Sequence, residues 1–201
     1  MKNNKFWLFG GLLLIAAALC FTVYNLWDEK RAGDRAQDLL QQYQELQAVS
    51  EGAGQGDSDA FEDDGVPAIE IDGDQYIGVL EIPALDIALP VMKEWSYAGL
   101  KIAPCRYLGS VSENDLIIAG HNYDRHFGGL RELESNDEVI FTDAEDKRFA
   151  YRVAEVTRLG GSDVEEMEAG EWDLTLFTCT TDSQNRVTVR CISSEEDAEI
   201  Q

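Results

Sequence analysis

Basic side chains are scarce in this 201-residue chain: 16 lysines and arginines stand against 39 acidic residues, a formal net charge of −23. A nucleic-acid binder needs clustered Lys and Arg to neutralise phosphates, and a polybasic membrane-surface protein needs them for lipid headgroups. The balance argues against both. Histidine is nearly absent, with only His121 and His126. The four cysteines, Cys20, Cys105, Cys179 and Cys191, show no CxxC spacing, which argues against a structural zinc centre. No internal repeat occurs, and the length is too short for two large domains. With 44% hydrophobic and 9% aromatic residues there is still enough apolar material for a core, so wholesale disorder is ruled out.

One stretch has no charge at all. Phe6 to Trp27 is a predominantly apolar run without a charged residue, and as a helix it spans roughly 33 Å, enough for a bilayer core. Lys2 and Lys5 precede it, while Asp28, Glu29, Lys30 and Arg31 follow with no net charge. The positive-inside rule predicts a cytoplasmic N-terminus (1–5), a single span (6–27) and an extracytoplasmic remainder. Ala16-Ala17-Ala18 resembles a signal-peptide cleavage site, but the apolar run continues through Phe21, Val23 and Leu26, too long for a usual signal core. Leu19 ahead of Cys20 is not the small residue that lipoprotein processing needs. A retained anchor is the expectation.

Beyond the anchor, Leu39, Leu40, Tyr43 and Leu46 recur at helical spacing and predict an amphipathic helix over Ala32–Val49. Ser50 to Gly65 carries six acids, no base and four glycines, the signature of a self-repelling flexible linker that closes segment 28–65. The compact part is 66–192, followed by an acidic tail, 193–201. Within it, Tyr76–Ile82, Leu85 to Val91, Leu116–Ala119, Glu138–Thr142, Arg148–Thr157, Leu174–Cys179 and Val187–Ile192 read as strands, with a helical turn or two over Phe127–Leu133. Seven or so strands and few helices predict a mainly β fold closed into a barrel.

Three residues could carry chemistry. Cys179 ends a strand at a polar loop, where a thiol can meet a substrate. His121 follows the apolar strand Leu116–Ala119 through Gly120, which is expected to leave room beside the imidazole. Arg186 opens the last strand. Singly, a buried cysteine, a structural histidine and a solvated arginine are the ordinary readings. Together they are the minimum for acyl transfer: a nucleophile, its base and an oxyanion donor.

At this point the sequence resembles the sortases, membrane-anchored cysteine transpeptidases of Gram-positive bacteria. The resemblance rests on Tyr76-Ile77-Gly78-Val79-Leu80-Glu81-Ile82-Pro83, on Ala119-Gly120-His121-Asn122, and on Thr175-Leu176-Phe177-Thr178-Cys179-Thr180 followed by Asn185-Arg186-Val187. It implies an eight-stranded sortase β-barrel in which Cys179, His121 and Arg186 are catalytic. Thr178, Thr180, Asn122 and Tyr123 would bind substrate. The implied partners are secreted proteins with a C-terminal sorting signal of the LPxTG type, and an amine on a peptidoglycan precursor or a pilin. No cofactor is implied; calcium in the acidic segment Gly160–Trp172 is the weaker alternative to a solvated loop. That segment is too short for the long helix of class B sortases, while His121-Asn122 is B-like, so a B-like or D-like type is expected. The rival functions are a wall enzyme of the L,D-transpeptidase kind, and an anchored β-domain acting only as a scaffold. Cys105 and Cys191 are expected to be free thiols and His126 a loop residue, with Arg125 near the groove.

Overall fold

In the computed structural model, residues 3–50, 65–180 and 184–194 are described. The linker 51–64, the tail beyond Ser194 and residues 181–183 lie outside the described residues.

A single helix, α1 (Asn3–Ser50), joins the apolar run to the predicted amphipathic helix without a break. No proline interrupts it, and the helix continues through the charged run Asp28 to Arg31. From Trp7 to Trp27 its side chains are exposed, and it is the one helix among the described residues long and apolar enough to cross a membrane. Past Trp27 it changes character. Ala32, Ala36, Leu39 and Tyr43 are buried against the rest of the protein. The sequence-predicted stripe was displaced: Leu46 stays 42% exposed, and two alanines take the contact instead. Small side chains let the helix axis approach closely, a gain that hydrophobicity alone understates.

Nine strands follow among the described residues: β1 (Ile69–Ile71), β2 (Asp74–Ile82), β3 (Ile87–Met92), β4 (Cys105–Leu108), β5 (Leu116–Gly120), β6 (Glu138–Asp143), β7 (Arg148–Gly160), β8 (Leu174–Cys179) and β9 (Asn185–Ser193). They form one sheet, ordered β1-β2-β3-β4-β5-β8-β9-β7-β6, and β2 also pairs with β6. That last pairing closes β2 to β9 into an eight-stranded barrel, as expected; β1 lies outside the ring, paired only with the start of β2. The β3–β4 and β5–β8 pairs are parallel and the others antiparallel. A short α2 (Val164–Glu168) lies between β7 and β8.

Alternation places the core. Leu174, Leu176 and Thr178 point into the barrel, among buried residues such as Leu80, Leu116, Ile118 and Phe141. Phe177 and Cys179 point out. A second, smaller core forms outside the barrel, where Leu39 and Tyr43 of α1 cover Ile71, Tyr76, Val79, Met92 and Cys105.

Candidate active site

β5 and β8 run side by side in parallel, with Gly120 beside Thr178. The next residues, His121 and Cys179, therefore leave adjacent strands at the same end of the barrel. In the antiparallel β8–β9 pair Cys179 lies directly opposite Arg186, and opposed residues share a face. Three neighbouring strands thus end in His121, Cys179 and Arg186. Beside these ends opens a cleft of about 460 Å³ whose walls include Cys179, Thr178, Thr180, Asn122, Arg131 and Arg158.

The three cysteines of the barrel differ in setting. Cys105 and Cys191 are buried and unbonded. Burial pushes their thiols up, to about 11 and about 12. Cys179 is half-buried at the cleft.

His121 opens a loop folded tightly on itself. The Phe127 N–H donates to the His121 carbonyl (3.1 Å), and those of His126 and Gly128 donate to the Tyr123 carbonyl (both 2.9 Å). Gly120 is needed here for a reason different from the expected one. The ring of Phe127, not the imidazole, occupies the place a Cβ at Gly120 would take. The imidazole itself stacks on Tyr123, centroids 4.0 Å apart and planes at 9°. Its Nδ1 is buried without a hydrogen-bond partner. Burial, the largest influence, holds His121 below the ordinary histidine value; Lys101 adds to this, while Asn122 and Asp28 oppose it. A neutral imidazole near pH 7 can accept a thiol proton.

Tyr123 is not a wall of the cleft. Its ring carries His121, and its hydroxyl donates to Oδ2 of Asp28 on α1 (2.9 Å). Arg125 of the same loop pairs with Asp34 of α1 (3.1 Å) and packs over Gly33. His126, a loop residue as expected, is fully buried, edge-on to Tyr123 at 5.6 Å. No sequence pattern marks the Asp28 contact, since a carboxylate just past an apolar run reads as a solvated flank.

Thr180 has its hydroxyl shared with the Asn185 backbone, accepting from Asn185 N–H (3.1 Å), and so closes the base of the β8–β9 connection. Thr178 faces the cleft with a buried hydroxyl that has no partner. The Arg186 guanidinium donates to the Asn185 carbonyl (3.2 Å) and lies beside Gly161. It is not a cleft wall in this conformation. Arg190, on the same face, is 4% exposed and donates to the Glu166 and Met167 carbonyls and to Thr175 Oγ1. It straps α2 onto the barrel. The cleft residues Arg131 and Arg158 were missed in the sequence because single arginines at element ends carry no periodic signal.

Phe177 shares the outer face with Cys179 and meets Tyr107 edge-on at 5.3 Å; Tyr107 meets Trp95 at 6.2 Å, and Trp95 meets Tyr97 at 4.9 Å. An apolar aromatic track therefore leads away from the thiol. Among the described residues no group of three or more His, Cys, Asp or Glu side chains is disposed to hold a metal. In the acidic segment, Asp163 is engaged by the Gly160 N–H (2.8 Å).

No curated protein matches the sequence. The chain is similar in structure to a sortase D5 transpeptidase of Clostridium perfringens, with 17% identity and TM-score 0.55, over 83% of this chain and 98% of that one. It is also similar to sortase A of Listeria monocytogenes (19%, TM-score 0.53, 60% and 88% covered). For sortase A of Corynebacterium diphtheriae the values are 22%, 0.52, 60% and 61%, so the match spans less than two thirds of that protein. At these identities the likeness establishes the fold. The Sortase domain family model matches residues 80–194, more than half of the sequence, and the chain belongs to the sortase family.

Proposed function

We propose that the protein is a membrane-anchored cysteine transpeptidase that cleaves a C-terminal sorting signal of the LPxTG type and transfers the upstream polypeptide to an amine. The observation that carries this reading is the row of strand ends, with Cys179 opposite Arg186 and beside the strand that delivers His121. His121 takes the thiol proton as Cys179 Sγ bonds to the scissile carbonyl carbon. The tetrahedral oxyanion is met by Arg186, whose guanidinium swings from the Asn185 carbonyl to do so. The C–N bond then breaks, and the leaving amine takes the proton from the His121 imidazolium, leaving a thioester. An incoming amine gives its proton to His121, bonds to the carbonyl carbon and expels the Cys179 thiolate, which recovers the proton.

The aromatic track from Phe177 to Trp95 suits the apolar leucine and proline of such a signal. Asn122, Thr178 and Thr180 border the cleft and would bind its backbone. The acceptor amine belongs to a peptidoglycan precursor or a pilin. The anchor spans the cytoplasmic membrane with its N-terminus inside, which presents the barrel to secreted proteins. The chemistry needs no metal or organic cofactor.

The test offers the full chain, in detergent micelles, a library of sorting peptides with and without amine acceptors. Ligated products that depend on Cys179 are expected. A folded protein whose Cys179 alkylates readily yet transfers no peptide in the library would overturn the reading in favour of a scaffold.

A further inference from the structure

Two faces of the sheet meet at Cys179. The thiol and Phe177 lie on the outer face, where the aromatic track begins. The inner side is set by register. Val187 lies opposite Thr178 on one neighbouring strand and opposite Arg158 on the other, so the three share a face. Thr178 and Val187 are buried there, while Arg158 stands exposed at the mouth of the barrel. Its Cα is about two strand spacings, roughly 10 Å, from that of Thr178, a gap that a long arginine side chain largely covers. Arg131 reaches the same cleft from a different element, the single turn Leu130–Glu132 that follows the His121 loop.

The charge of this cleft runs against that of the chain. In a protein of net charge −23 its walls carry two arginines and one acid, Asp124. Arg158 forms no ion pair among the described residues. The one that Arg131 forms among them, with Glu132 at 3.7 Å, is exposed at both ends and holds it weakly. Both guanidiniums are thus available to an anion. In the same cleft the buried Thr178 hydroxyl has no partner, and a buried polar group without one marks a place where a ligand completes the hydrogen bonding. The acyl-transfer steps use neither arginine.

We propose that Arg131 and Arg158 form a carboxylate subsite for the acceptor. It selects an amine whose own carbon bears a carboxylate, the head of an α-amino acid, over the isolated side-chain amine of a lysine within a protein. The inference rests on the transpeptidase reading and names the acceptor that this site takes. With the apolar part of the donor on the outer face, the inner side of Cys179 is the side from which a second reactant meets the thioester. A guanidinium takes a carboxylate through two parallel hydrogen bonds, and that hold places the neighbouring nitrogen at the carbonyl carbon. The neutral amine gives its proton to His121, bonds to the carbonyl carbon and breaks the C–S bond. The Cys179 thiolate recovers the proton, and the carboxylate leaves unchanged.

The experiment uses the full chain in detergent micelles, acylated by an LPxTG peptide and offered acceptors in pairs. Both members of a pair compete for one thioester, so the product ratio does not depend on donor turnover. Three acceptors share a skeleton, each supplied as both enantiomers. Nε-acetyl-lysine has its one amine beside a carboxylate, its amide has the same amine without the charge, and Nα-acetyl-lysine amide has only the side-chain amine. The carboxylate form is expected to win by about tenfold over each amide, although the less basic amine of its own amide is the more fully neutral. Arg131→Gln and Arg158→Gln should each shrink that ratio several-fold, and Arg158→Glu should reverse it. Both positions are exposed, and a thermal melt checks that the variants fold. A ratio near one in the unmodified chain would overturn the subsite, as would a ratio that all three variants leave in place. A changed preference between Glu and Gln at the x position of the signal, with the acceptor ratio intact, would also overturn it and give the arginines to the donor. In each of these cases the thioester on Cys179 still forms and the transpeptidase reading stands. If no thioester forms, that reading falls and the subsite with it.

Discussion

At the residue level, position separates chemically similar side chains. Burial keeps Cys105 and Cys191 as thiols, so Cys105→Ala and Cys191→Ala should retain transfer in folded protein, whereas Cys179→Ala should abolish it. Peptide cleavage followed by mass spectrometry reads both. The two arginines of β9 divide in the same way. Arg186→Lys loses the planar two-pronged donor and should lower turnover by on the order of 10²-fold. Arg190→Ala should instead cost about 3 kcal/mol of stability, because it breaks buried charge-assisted hydrogen bonds. A chemical melt and a kinetic assay of each variant separate the two effects. Tyr123 stacks on His121 and donates to Asp28. Tyr123→Leu removes the stack on His121 and should lower kcat with little change in KM. Tyr123→Phe keeps the stack, loses only the Asp28 bond, and should recover most of the activity. Asp28→Asn removes a charge that raises the His121 pKa, so the acid limb of its pH profile should move to lower pH. A purely structural role for Asp28 would leave that limb in place.

At the level of elements, what was legible followed periodicity and what was missed lacked it. Leu116–Gly120 and Leu174–Cys179 are apolar enough to declare themselves strands wherever they sit. β4 is not: Cys105–Leu108 mixes Arg106 among apolar residues, shifts register at Arg106, and touches β3 through the single pair Met92 and Cys105. Only the closing barrel makes it a strand. β1 did leave a signal, the Asp72-Gly73 pair that turns it into β2 with positive φ at both residues (54° and 90°). On α1 the helical period was read correctly but its face was not, because Ala32 and Ala36 count for little in hydrophobicity and much in close approach. Tyr43→Ala should therefore destabilise the fold by about 3 kcal/mol, while Leu46→Ala should change it by less than about 0.5 kcal/mol, measured by urea unfolding. His126 makes the docking of α1 sensitive to acid. Burial lowers its pKa from 6.5 to about 4, and the nearby Ala32 carbonyl opposes only part of that. Between those values the unfolded chain takes up a proton that the folded one refuses. Stability is thus full above pH 6.5, falls as pH drops toward 4, and is lower below it by about 3 kcal/mol. His126→Phe should flatten that slope.

For the whole molecule, α1 carries both the apolar run and the contacts that dock it on the barrel. The apolar run, the Gln-rich helix and the β core could be told apart in the sequence because each has its own composition. Their contact was not, since Asp28, Gly33 and Asp34 look like solvated helix until the His121 loop is folded against them. The site shows the same division. The positions of Cys179 and His121 at adjacent strand ends were legible in the sequence, while the stack on Tyr123, the hold by Asp28 and the arginines of the cleft wall needed the fold. The central claim is that Cys179 carries the polypeptide as a thioester. Its most direct measurement is the intact mass of the full chain after a sorting peptide is added without acceptor and the mixture is quenched in acid. The account predicts an added acyl mass mapped to Cys179, released by hydroxylamine and absent from Cys179→Ala. An adduct that persists in folded Cys179→Ala, or that maps to Cys105 or Cys191, would contradict it.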